Sequence, residues 1–378
     1  MTDRRTHLQE TIETTLTDRD AGAFVHVGPA ANPSVRYCLE SDASETDSSS
    51  ALSGVGRHAV AVTADDGLEH VSADENGVGT AHPTQELATR LSDRGISGPV
   101  LTPRTIPHDA ACYLEQAGFE LASSDALERA RAVKTPAERQ AIERVQAAAS
   151  EGVRAVASSL ADASVVDDHG HDRLAVDGTV LTPQRLRRTA DEAVVAAGAY
   201  PAGTTVVDAG GRAADEEVRP GEAITVALAP RGPDGYRGGL ARTVVVDGDG
   251  GRERRAHVAV TGALKSARAM LAGGETSVPA IRGDLEAEVM AFGFDDGIET
   301  TVHGVGLEPH ERPGRDETVQ TGAVVRLEAA VTDLEGGAVR IADLVVVDGA
   351  ETRPLAAPSR SLAPDALVES AADVASKY

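Results

Sequence analysis

Residues 301–313 read TVHGVGLEPHERP and set two imidazoles, His303 and His310, beside two carboxylates, Glu308 and Glu311, among glycines and prolines. Near neutral pH an imidazole can give a proton, take one or bind a metal, according to its surroundings. Two more charged groups follow in otherwise apolar runs: Glu328 in VRLEAAV and Arg340 in GGAVRIADLVVV. A carboxylate in such a run needs a counter-charge, and a guanidinium supplies a fixed one. An ion pair between Glu328 and Arg340 is therefore expected, with His303 bonded to Glu328 or its neighbours. His310 could also donate to a ligand carbonyl without a metal. Gly304 and Gly306 fit either a close backbone approach or a tight turn, and the turn is expected. A second polar cluster, Asp167-Asp168-His169-Gly170-His171-Asp172, has His-x-His among carboxylates. It lies between helices and is expected to be a solvated loop.

Several elements must carry these groups. GAFVHVG (22–28), HAVAVT (58–63) and GPVLTP (98–103) read as buried strands, with helices near 84–94 and 107–117. That alternation is an α/β pattern. SDASETDSSS (41–50) reads as a loop. A boundary falls near residue 130. Beyond it Thr135, Pro136 and Glu138 form a helix start, and Ile142, Val145, Ala149, Val153 and Val156 recur at helical spacing. A second helix runs from Thr182-Pro183 to Gly198, and two more lie near 252–272 and 279–292. Strand-like runs occupy 223–228, 241–246, 323–331 and 338–347. The expectation is an α/β domain over 1–130, an α+β domain over 131–355 with helices covering a curved antiparallel sheet, and a loosely held tail over 356–378.

The chain has 60 acidic residues against 36 basic ones, a net charge of -24, and 2% aromatics. Its only lysines are Lys134, Lys265 and Lys377. Such a composition suits a salt-saturated cytoplasm, where carboxylates stay hydrated and salt screens their repulsion. Phosphate backbones would be repelled, which argues against nucleic acid. No apolar run is long enough for a membrane span and no hydrophobic signal region is present, so a cytoplasmic location is expected. Cys38 and Cys112 form no metal-spacing pattern.

HGVGLEPHERP resembles the pita-bread metallopeptidases, the group of Xaa-Pro aminopeptidases, prolidases, methionine aminopeptidases and creatinases. Their pattern is roughly G-H-G-x-G-x-x-x-H-E-x-P, and Val302 replaces its first glycine. RAVKTPAERQAI, GPDGYRGGLARTVVV, GGAVRIADLVVV and PSVRYCLES are similar to further segments of the family in the same order. With the leading α/β domain, the resemblance points to the Xaa-Pro aminopeptidase, prolidase and creatinase branch.

The resemblance implies two divalent metals (manganese, cobalt or zinc) held by five side chains, sharing a water whose pKa they lower. His303 and Glu328 match two of the five ligands. Leu228, Gly239 and Ala342 stand at the other three positions. Two donors are too few for a tight hard-cation site. Asp343 should face away from Ala342, and Asp234 lies too far out on a hairpin loop. His310 matches the family's transition-state histidine. Glu217 stands where the Xaa-Pro branch has a substrate-holding histidine. Glu217, Glu311 and Arg340 are thus candidate substrate-binding residues, and Glu217 could receive a cationic amino terminus. The reading that follows is a homologue without dinuclear centre or cofactor, binding a peptide or a partner protein with an exposed amino terminus. One alternative is an active Xaa-Pro aminopeptidase or dipeptidase with substitute ligands. Another is a metal-independent, creatinase-like amidohydrolase built on His303, His310 and Glu328. Family members often dimerise, so a homodimer is a further expectation.

Overall fold

The computed structural model describes residues 3–39, 56–64, 67–72, 82–168, 171–349 and 351–368. The chain divides into two compact units, Met1–Ala137 and Glu138–Tyr378. The division comes later than residue 130 because the helix before it belongs with the first unit.

The first unit opens with α1 (Arg4–Asp18), β1 (Ala23–Pro29), α2 (Pro33–Leu39), β2 (Arg57–Thr63) and β3 (Gly67–Ser72). It continues with α3 (Pro83–Asp93), β4 (Val100–Thr102), α4 (His108–Gln116), β5 (Leu121–Ser123) and α5 (Ala126–Ala132). The sheet order is β3-β2-β1-β4-β5, antiparallel on the β2 side of β1 and parallel on the β4 side. Ala23, Val25 and Val27 cluster with Leu87, Leu91 and Leu114 of α3 and α4. Phe24 and His26, one residue out of phase, face the other way and are also buried. The segment PSVRYCL is the helix α2, and residues 41–50 lie outside the described residues.

The second unit begins with α6 (Pro136–Ala161), β6 (Ser164–Asp168), β7 (His171–Val176), β8 (Thr179–Val180), α7 (Pro183–Ala196) and β9 (Val206–Ala209). Then come β10 (Ala223–Leu228), β11 (Leu240–Val245), α8 (Arg252–Ala272), β12 (Thr276–Ser277) and α9 (Val278–Met290). It ends with β13 (Ile298–Gly304), β14 (Thr318–Val319), β15 (Val324–Leu334), β16 (Gly337–Asp348), β17 (Glu351–Pro354) and α10 (Asp365–Val368). A seven-stranded antiparallel sheet runs β13-β15-β16-β11-β10-β9, with β17 also paired to β16.

Two apolar clusters hold this sheet to its helices. Val325, Leu327, Ala329 and Val331 of β15 pack with Ala263, Leu264, Ile281 and Leu285 of α8 and α9. Ile224, Val226 and Leu228 of β10 pack with Val145, Ala149, Val153 and Leu186 of α6 and α7. Successive strand residues point to opposite faces, so the even residues of β15 and the odd ones of β10 look away from the helices. That second face carries His303, Arg326 and Glu328.

Two expectations are overturned. The cluster around residues 167–172 is part of a β-hairpin, β6 with β7, rather than a loop; Asp167 and Asp172 are exposed on it and His169 lies outside the described residues. Residues 356–368 are docked, not loosely held. Ser150 donates to the carbonyl of Ala356 at 2.9 Å, and Val245 N donates to that of Leu362 at 2.8 Å. Arg242 donates to the carbonyls of Pro358 and Ser359 at 3.0 and 3.1 Å, and Leu367 is buried in the core. Asp343 is buried between Arg242, at 2.7 Å, and Arg360, at 2.8 Å. A buried carboxylate with two guanidinium partners fastens the segment because no member of the triad can leave without exposing an unpaired charge.

Candidate functional site

Cross-strand register builds the site. His303 of β13 lies opposite Arg326 of β15, and Thr301 opposite Glu328. Arg326 lies opposite Leu344 of β16, Glu328 opposite Ala342, and Ala330 opposite Arg340. Ala342 in turn pairs with Ala241, and Ala241 with Ala227. Directly opposed residues share a face, so His303, Arg326, Glu328, Arg340, Ala342 and Ala227 belong to one surface.

Glu328 is the centre. Arg326 donates to its Oε2 through Nε at 2.9 Å and Nη2 at 2.5 Å, and Arg340 Nη1 reaches Oε1. Arg340 also binds Glu299 at 2.5 Å. Burial by itself would raise the Glu328 pKa, but the charges and hydrogen bonds of Arg326, then Arg340, hold it below the ordinary carboxylate range. The expected Glu328–Arg340 pair is present, with a second guanidinium added.

His303 is 7% exposed, and its Nδ1 donates to the carbonyl of Gly304 at 2.9 Å. A carbonyl can only accept, so Nδ1 carries the proton and Nε2 keeps a free lone pair. Burial lowers the His303 pKa to about 4, leaving a neutral ring at pH 7. The bond expected to Glu328 or its neighbours is not made; Glu328 is taken by the arginines. His310 is exposed and lies against His303, with ring centroids 4.1 Å apart and the planes tilted by 30°.

The glycines between these histidines serve close packing, not a left-handed turn; neither has positive φ. Gly304 N donates to the carbonyl of Pro313 at 3.0 Å, and a Cβ on Gly304 would sit 2.0 Å from the carbonyl oxygen of Arg312. A Cβ on Gly306 would strike the Glu311 carboxylate at 2.3 Å. Glu311 accepts from Glu308 N at 3.0 Å, so this candidate substrate-binding carboxylate faces the loop it closes.

The five inherited ligand positions can now be placed. His303 and Glu328 are present. Ala342, opposite Glu328, offers no donor. At Gly239 a Cβ would meet Arg326 Nη1 at 2.8 Å, so a guanidinium fills the space into which an acidic side chain would project. Leu228 is not on this surface: it pairs with Leu240 and packs among α6 and α7. The β10 residue on the face of Glu328 is Ala227, because a shift of one residue along a strand reverses the side chain.

The candidate replacements are engaged elsewhere. Asp343 points to the opposite face, as its position predicts, into the Arg242–Arg360 triad. Asp234 pairs with Arg144 at 2.8 Å. Glu217 is not a free pocket carboxylate; it is half exposed and paired with Arg173. Among the described residues, no group of three or more His, Cys, Asp or Glu side chains is arranged to hold a metal ion. One neutral imidazole and one carboxylate already bound by two guanidinium groups do not fit a pair of dications.

Arg326 is the residue that sequence reasoning missed. The signal available was its place two residues before Glu328, which puts both on one strand face, together with the absence of a side chain at Gly239.

The half-barrel of antiparallel strands backed by helices, following an α/β unit in the sequence, is the pita-bread architecture. Residues 138–349 match the model of metallopeptidase family M24, and the chain belongs to that family. Solved structures share the fold over nearly the whole length. A prolidase from Pyrococcus horikoshii OT3 is 19% identical at TM-score 0.71, over 94% of this chain and 99% of its own. An Xaa-Pro dipeptidase from Bacillus anthracis is 16% identical at TM-score 0.73, over 95% and 99%. An X-Pro aminopeptidase from Thermotoga maritima MSB8 is 15% identical at TM-score 0.71, over 92% and 99%. No curated protein matches the chain.

Proposed function

We propose that this M24 chain has lost the dinuclear metal centre and the hydrolysis that depends on it, and that it uses the inherited site to bind a peptide or a partner protein. The observation that carries this reading is Arg326. Its guanidinium abuts Gly239 and binds Glu328, so a positive charge built into the chain sits where the family's donors would surround metal ions. A dication placed there would face Arg326 and Arg340 at short range, with Glu328 already shared by both guanidinium groups and Glu299 taken by Arg340.

The acid-rich surface fits a protein working in concentrated salt inside the cell, where nucleic acid is not a partner. No helix among the described residues is long and apolar enough to cross a membrane. A homodimer, common in the family, is part of the same reading.

The test is metal analysis of protein purified in molar salt, together with an Xaa-Pro peptide assay supplemented with cobalt or manganese. The expected result is less than one tightly bound ion per chain and no turnover. Two bound ions with turnover would overturn the proposal in favour of a working metallopeptidase. Turnover that survives chelation would move the chemistry to His303, His310 and Glu328 as a metal-independent hydrolase.

A further inference from the structure

We propose that the site is an oxyanion receptor, in which Arg326 Nη1 takes a ligand carboxylate and His303 Nε2 takes the N–H beside it, as at the free carboxyl terminus of a peptide. This rests on the metal-free reading above and adds the chemistry of the ligand.

Glu328 grips Arg326 through Nε and Nη2, which fixes the plane of the guanidinium. Nη1 is directed over Gly239 and has no hydrogen-bond partner among the described residues. It is not among the buried polar atoms lacking a partner, so solvent or a ligand can reach it. The same holds for His303 Nε2, on the residue directly opposite Arg326. An open cationic donor therefore stands beside the lone pair left on Nε2 when Nδ1–H is bound to the Gly304 carbonyl.

The neighbouring hairpin adds to the positive field. Arg237, two residues before Gly239, donates its backbone N–H to the carbonyl of Gly306 at 2.8 Å, which ties the hairpin to the loop between the two histidines. Its Nε is buried without a partner. Burial and the nearby Arg231 charge depress its pKa, and Glu308 is the acidic group acting against them.

The pair of open atoms selects among ligands. A metal cation meets like charge. A fully ionised phosphate ester offers only acceptors to the bare lone pair of Nε2. A neutral carbonyl can accept from Nη1, but charge-assisted bonds are about twice as strong. A carboxylate with an adjacent N–H satisfies both atoms. A carboxyl terminus and a free N-acylated amino acid share this chemistry.

The experiment is calorimetric titration of the full chain in molar potassium chloride with a chelator, using N-acetyl-dialanine, its carboxamide and N-acetylalanine. The acid should bind at least about tenfold more tightly than the amide, the scale of one lost charged hydrogen bond. Gly239→Asp places a carboxylate of the chain itself against Nη1, and its Cβ meets only side-chain atoms, Arg326 Nη1 at 2.8 Å and Leu344 Cδ2 at 3.4 Å. That variant should lose acid binding while keeping its melting temperature. Arg326→Lys, which keeps the charge, should bind the acid weakly and still discriminate against the amide. Equal binding of acid and amide, or undiminished acid binding by Gly239→Asp, would overturn the proposal. N-acetylalanine as tight as the dipeptide would support it with small free acids as the source. Because a chelator is present throughout, failure here leaves the metal-free reading standing, and that reading falls only to the ion count.

Discussion

Glu328→Gln asks whether the centre of the site is an ion cluster or an idle ligand set. Glutamine keeps the size of the side chain and an accepting oxygen but removes the charge. Arg326, 13% exposed in its side chain, then has no carboxylate partner, whereas Arg340, 24% exposed, keeps Glu299. Removing one member of a buried ion pair costs about 3–5 kcal/mol, because the remaining charge stays desolvated. The second partner and partial exposure of Arg340 place this case at the lower end, about 3 kcal/mol. For a unit of this size that lowers the melting temperature by about 6–12 °C. The assay is thermal and denaturant unfolding in molar salt with a chelator, so that metal linkage adds nothing and exposed ion pairs are screened. Combining Glu328→Gln with Arg326→Met should recover part of the loss, a coupling of about 1–3 kcal/mol. A Glu328→Gln protein within about 0.5 kcal/mol of the parent would refute the reasoning. The carboxylate would then not be held as a counter-charge, and the guanidinium cluster would no longer support the metal-free proposal.

Two further outcomes are expected. His26 is buried in the first unit with its pKa lowered to about 4 from 6.5 by burial, so below pH 6.5 the unfolded chain binds the extra proton and stability falls until about pH 4. The loss is about 3 kcal/mol over that window, and His26→Gln should flatten the dependence of melting temperature on pH across it. Asp343→Asn leaves Arg242 and Arg360 without a shared carboxylate; it should cost about 3–5 kcal/mol and expose residues 356–368 to limited proteolysis, read by mass spectrometry.

What the sequence disclosed and what it withheld follow from one distinction, between periodicity along a strand and register across strands. Alternation within β16 was enough to send Asp343 away from Ala342 and to leave Arg340 for Glu328, and the structure has both. Leu228 failed because its position was counted along the chain through the hairpin loop, where no periodicity operates. The pairing of Leu228 with Leu240 puts it in the helix-covered core and leaves Ala227 on the site face. Helix α1 carries a stripe of Leu8, Ile12 and Leu16, diluted by polar neighbours. The docking of residues 356–368 could not have been read from side-chain pattern, since Arg242 holds that segment largely through backbone carbonyls. Arg326 is the most instructive case. Glu328 alone looks like a surviving metal ligand, and Gly239 alone looks like a deleted one. Across the sheet, the room that a side chain at Gly239 would need is occupied by the guanidinium of Arg326. Restoring the acid at Gly239 while Arg326 remains would therefore build another ion pair and not a metal site.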